Sequence, residues 1–83
     1  MTNDVRARLV AIFADVFQTE VPDGADVRRE GLDAWDSVNH FRLVMEIEQV
    51  FHVTLSDDEV TDLESLAQVE ALVTRKLGGE GAA

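Results

Sequence analysis

The sequence predicts an all-α fold, a four-helix bundle with three long helices and one short one. Three observations point there. Apolar residues recur at the 3.6-residue spacing of amphipathic helices in three separate stretches. A capping residue, Asp or Ser, stands in front of each later stretch. Only "HVTL", residues 52–55, reads as a strand, and a lone strand has nothing to pair with. Eighty-three residues make one domain, because two would be too small to bury separate cores. A hydrophobic content of 46% belongs to a folded chain rather than a disordered one.

The elements follow in order. Residues 3–18 place Val5, Leu9, Ile12, Phe13, Val16 and Phe17 on one helical face. Pro22, Asp23, Gly24 and Gly31 then punctuate a loop over about residues 19–36. A loop this long in a small domain is expected to pack or to function. Helical spacing resumes at Val38 and runs to Phe51, with Asp36 as the N-cap and Ser37 as the first helical residue. Ser56-Asp57-Asp58-Glu59 is a capping box that opens a short helix near 57–62. Ser65 caps a last helix, with Leu66, Val69, Leu72, Val73 and Leu77 on one face. Arg75 and Lys76 suit its C-terminal turn, and Gly78-Gly79 is expected to stop it. Residues 78–83 are expected to be a frayed tail.

Composition excludes several functions. There is no cysteine, hence no disulfide framework, zinc-thiolate site or cysteine nucleophile. His40 and His52 form no H-E-x-x-H pattern, and the acids near Ser37 do not fit a calcium loop, so no metal site is expected. A Ser–His–Asp hydrolase is not supported either. The chain has no G-x-S-x-G elbow and little room for an oxyanion hole. No apolar run approaches the roughly 18 residues of a membrane span, and Met1 is followed by polar residues rather than a signal sequence. The expectation is a cytoplasmic protein. Net charge is −10, from 17 acids against 7 bases, which argues against nucleic acid and anionic membranes as partners. Between Leu43 and Thr74 there is no Lys or Arg. A single-sign field of this kind steers basic partners, and it also keeps a small protein soluble.

The second helix is apolar on two faces. Val44, Ile47 and Phe51, with Leu43 alongside, form one stripe, and Val38, Phe41 and Met45 form another. The second stripe is either a further part of the core of a central helix or an exposed docking patch rimmed by acids. Ser37 sits at the positive end of this helix, where a phosphate ester would be favoured. Asp-Ser is equally a common helix start. Trp35 can serve simply to pack the loop onto the bundle, and His40 to satisfy an interhelical hydrogen bond.

Taken together, "GLDAWDSV", "FRLVMEIEQVFHVTLSDDEV" and "LESLAQVEALV" resemble the acyl and peptidyl carrier proteins, over about residues 3–77. The family's D-S-L motif is matched by Asp36-Ser37-Val38. The resemblance implies a right-handed four-helix carrier domain over residues 1–77, with 4′-phosphopantetheine esterified to Ser37 by a phosphopantetheinyl transferase. That arm would supply the thiol this cysteine-free chain lacks. The carrier itself would be a monomer and not an enzyme. It would present an acyl or aminoacyl thioester to a loading enzyme and to a downstream synthase or acyltransferase. By position the docking surface falls on Val38, Phe41, Arg42, Met45 and Glu46, with Asp57, Asp58 and Glu59 behind them. Arg42 stands where carriers of fatty-acid synthesis usually hold an acid. Trp35 and His40 give "WDSxxH", which is similar to freestanding carriers of specialised pathways that load glyceryl, alkoxymalonyl or amino-acid units. The chain from Met1 to just past the last helix also reads as freestanding. A carrier of primary fatty-acid synthesis and a non-carrier acidic adaptor are the other readings.

Overall fold

The computed structural model describes residues 2–22 and 26–80. Asp23, Gly24 and Ala25 of the predicted loop lie outside the described residues, as do residues 81–83 of the predicted tail. Four α-helices run in chain order: α1 Thr2–Phe17, α2 Ser37–Phe51, α3 Asp57–Asp62 and α4 Leu66–Arg75. No strand forms among the described residues, and "HVTL" is the connection between α2 and α3.

The predicted stripes of α1 and α4 and one stripe of α2 meet in a single core, but Leu77, expected on the buried face of the last helix, lies past Arg75 and is 48% exposed. Val5, Leu9, Ile12, Phe13, Val16 and Phe17 of α1 are buried against Leu43, Val44, Ile47 and Phe51 of α2 and Leu66, Val69, Leu72 and Val73 of α4. Leu55 and Leu63, which flank α3, complete this core. α3 itself contributes no buried residue. An ion pair from Arg6 to Glu70, at 3.1 Å, clasps α1 to α4 at the rim.

Two helices end on a left-handed residue that is not glycine. Gln18 follows α1 with φ 53° and His52 follows α2 with φ 57°. The conformation turns the chain sharply out of the helix, at the steric cost a Cβ imposes there. After α2 the Glu48 carboxylate reaches the Leu55 N–H at 2.9 Å, which fixes the turn into α3.

The long loop packs. Val21, Val27, Leu32 and Ala34 lean on the core, and Arg29–Gly31 forms a 3₁₀ turn that the sequence pattern did not announce. The loop is also stitched to the start of α4. Arg29 N–H donates to the Glu64 carbonyl at 2.8 Å, Leu66 N–H to the Val27 carbonyl at 2.8 Å, and Ala67 N–H to Asp26 Oδ1 at 2.9 Å.

The end of α4 departs from expectation. Gly78-Gly79 was the predicted stop, but helical winding continues as a wider π turn over Lys76–Glu80. Lys76 N–H is shared between the Leu72 and Val73 carbonyls, and its ammonium lies 3.0 Å from Glu59 on α3.

Candidate functional site

The chain has three serines, Ser37, Ser56 and Ser65, and all stand at helix starts. Two of them are caps. Ser56 Oγ accepts from Glu59 N–H at 3.2 Å while Glu59 returns a bond to Ser56 N–H at 2.9 Å. Ser65 Oγ accepts from Gln68 N–H at 3.1 Å. Ser37 is different because Asp36 does the capping, with Oδ1 accepting from Asn39 N–H at 2.9 Å. Ser37 is thus released from structural duty. It is exposed, and its hydroxyl has no hydrogen-bond partner among the described residues.

The turn that carries Ser37 is fixed on its inner side. Asn39 Nδ2 donates to the Ala34 carbonyl at 2.8 Å, and His40 N–H donates to the Asp36 carbonyl at 2.8 Å. Trp35, one residue before the cap, is buried between Phe13 and Phe17, with ring centroids 5.5 and 5.1 Å away. Its indole N–H donates to His40 Nδ1 at 2.8 Å. Since Nδ1 accepts, the neutral imidazole carries its proton on Nε2, which donates to the Val60 carbonyl at 2.7 Å. Trp35 therefore packs the loop and His40 is a satisfied interhelical histidine, two of the uses the sequence allowed. The spacing of Trp35 and His40 is visible in the sequence, but Val60 as third member is not.

The N–H groups of Ser37 and Val38 find no partner among the described residues. The open end of α2 thus offers free donors and the positive end of a helix dipole beside an exposed hydroxyl. A phosphate ester on Ser37 Oγ fits that environment.

The second apolar stripe of α2 is outside. Val38, Phe41 and Met45 are 69%, 63% and 51% exposed, while Leu43 and Ile47 on the same helix are fully buried. Arg42 is exposed beside them and Glu46 is half-buried. The acids of the Leu43–Thr74 run divide in two. Glu48, Glu59 and Glu70 are used inside the chain, on Leu55 N–H, on Lys76 and on Arg6 respectively. Asp57, Asp58, Asp62 and Glu64 face solvent. Glu59 also lies 3.9 Å from Arg75, and the Ser56 backbone N–H and Lys76 hold its carboxyl below the usual glutamate range.

A half-open cleft of about 220 Å³ lies between α3 and α4, lined by residues that include Glu59, Asp62, Gln68 and Arg75. No residue of α2 lines it. No group of metal-ligating side chains forms among the described residues, and no described helix is long and apolar enough to cross a membrane.

No curated protein and no solved structure matches the chain. The family described as "Phosphopantetheine attachment site" matches residues 7–73, from the first turns of α1 to the last apolar residue of α4. That span takes in the core helices, the loop and the open end of α2, so the chain belongs to this family and is a carrier protein, whose 4′-phosphopantetheine arm supplies the thiol for a thioester and is installed by a phosphopantetheinyl transferase.

Proposed function

We propose that Ser37 is the attachment point of the arm and that the chain is a freestanding carrier of a specialised biosynthetic pathway. One observation carries the assignment. Of the three serines, Ser37 alone is exposed and spared from capping, next to unpartnered backbone donors. Asp36 acts as a positioning residue, holding the first turn of α2 so that the Ser37 hydroxyl faces outward. The chain contributes no catalytic group of its own. Its residues supply an address.

That address is the exposed stripe of Val38, Phe41 and Met45, flanked by Arg42 and Glu46, with Asp57 and Asp58 as the acidic rim. An apolar centre with a charged border suits a partner of opposite charge, with Phe41 as rigid anchor and Met45 as adaptable filler. Glu59 was assigned by position to the same surface. Its engagement with Ser56 and Lys76 supports a different part, fixing α3 so that Asp57 and Asp58 are displayed. The partners are a loading enzyme for a short polar or aminoacyl unit and a downstream synthase or acyltransferase, met by a monomeric carrier in the cytoplasm. Arg42 at the flank of the stripe supports this over primary fatty-acid synthesis, since a cation there repels the basic partners an acidic carrier attracts.

Intact mass tests the assignment. The chain incubated with coenzyme A and a broad-specificity phosphopantetheinyl transferase should gain one phosphopantetheine, and Ser37→Ala should gain none with its helical circular dichroism unchanged. Modification of Ser56 or Ser65 in that variant would overturn the assignment, and no gain on the unaltered chain would leave the adaptor reading in its place.

A further inference from the structure

α3 is held in an unusual way for a helix of this bundle. It buries no residue of its own, and Val60 is its half-buried apolar contact. A hydrogen bond from one buried imidazole joins it to α2. His40 stands one turn after Ser37, takes the Trp35 indole N–H on Nδ1 at 2.8 Å, and gives its Nε2 proton to the Val60 carbonyl at 2.7 Å. Its backbone N–H is bonded to the Asp36 carbonyl, so the same residue also belongs to the cap of the Ser37 turn. Loop, α2 start and α3 meet at this one side chain.

From this we infer that His40 is a positioning residue, which sets the place of α3 relative to Ser37 and so lets an enzyme find the serine and the α3 acids at a fixed spacing. The physical reason is the cost of the alternative. A small displacement of α3, too short to admit water, would leave the part-buried imidazole N–H and the Val60 carbonyl without partners, a larger penalty than the bond itself contributes. The bond therefore acts as a latch with one preferred position rather than a soft contact. Asp57 and Asp58, at the start of the same short helix, move with it. The inference rests on Ser37 being the attachment point.

Two conservative variants separate a positioning role from simple core filling. His40→Asn keeps an acceptor where Nδ1 lies, for Trp35, but loses the donor to Val60. His40→Gln places an amide donor where Nε2 lies and loses the acceptor for Trp35. Each removes one buried hydrogen bond, so both should melt at similar, lowered temperatures. Their kinetics as substrates of a broad-specificity phosphopantetheinyl transferase, with coenzyme A and well below either melt, should differ. His40→Asn should raise KM roughly fivefold or more with kcat little changed, and His40→Gln should stay within about twofold of the unaltered chain. Equal KM values for the two variants, or KM values that follow the melting temperatures, would overturn the inference. If His40→Asn does not fold, hydrogen exchange on the unaltered chain decides. The His40 Nε2 proton, the His40 backbone amide and the α3 amides should open as one unit, and independent opening of α3 would overturn the latch. A failure of the Ser37 assignment looks different, because it shows as an absent or misplaced mass gain on the unaltered chain.

Discussion

The starts of α2 and α4 are built from similar residues and come out opposite. At α4 every early donor is taken. Leu66 N–H goes to Val27, Ala67 N–H to Asp26, Gln68 N–H to Ser65 Oγ and Val69 N–H to the Ser65 carbonyl. At α2 the Asp36 cap takes Asn39 and His40 N–H, and the donors of Ser37 and Val38 stay open. One closed end is stitched to a loop and buries Leu66, and one open end faces solvent with a spare hydroxyl. The difference teaches how a serine becomes available. It must sit one residue inside the helix, with another residue doing its capping.

The strongest way to break the comparison is to empty the closed end. Leu66→Ala should cost about 2–5 kcal/mol, a large share of the stability of a small domain, measured by chemical or thermal unfolding. A loss below about 1 kcal/mol would mean that the α4 start is not the anchored one. Ser65→Ala should cost about 1 kcal/mol in the same experiment, because it orphans the Gln68 N–H. Ser37→Ala, at the open end, should stay within about 0.5 kcal/mol of the unaltered chain. A larger loss would show that Ser37 has a structural task after all.

α3 sharpens the contrast from a third side, since polar contacts rather than burial hold it. Glu59 is kept below the ordinary glutamate range by the Ser56 N–H and Lys76. A carboxylate with a depressed value contributes stability that is complete above its unfolded value and disappears as pH falls through the folded one. Amide protection in α3 should therefore weaken on acidification through the carboxylate range, and Glu59→Gln should remove part of that dependence while lowering protection at neutral pH. Equal acid sensitivity in both proteins would rule Glu59 out as the cause. The smallest effect is expected on the outer stripe. Met45→Ala should change stability by well under about 1 kcal/mol, in contrast to Ile47→Ala on the buried face.

Much of this architecture was legible in the sequence because it is local. The apolar periods of α1, α2 and α4 located the core faces, and Asp36, Ser56 and Ser65 marked the helix starts. The two stripes of α2 were legible as well, but not which of them would be outside. Periodicity cannot say that Val44 and Ile47 will find α1 while Phe41 and Met45 find nothing. What escaped was pairing across long separations. The stitch of residues 26–29 to residues 64–67, the Val60 end of the histidine bridge, and the reach of Lys76 to Glu59 all depend on the assembled bundle. The capping role of Glu59 was readable from Ser56-Asp57-Asp58-Glu59, whereas its ion pair was not.

The burial of Trp35 has an optical consequence. The chain contains one tryptophan and no tyrosine, so near-ultraviolet emission arises almost entirely from a single indole. That indole is wedged between Phe13 and Phe17 and bonded to His40, one residue before the cap of α2. The protein thus carries an unlabelled reporter at the junction of the loop, the Ser37 turn and α3. Arrival of an enzyme on this corner, or release of α3 from it, can be followed as a change in the colour and intensity of the chain's own light.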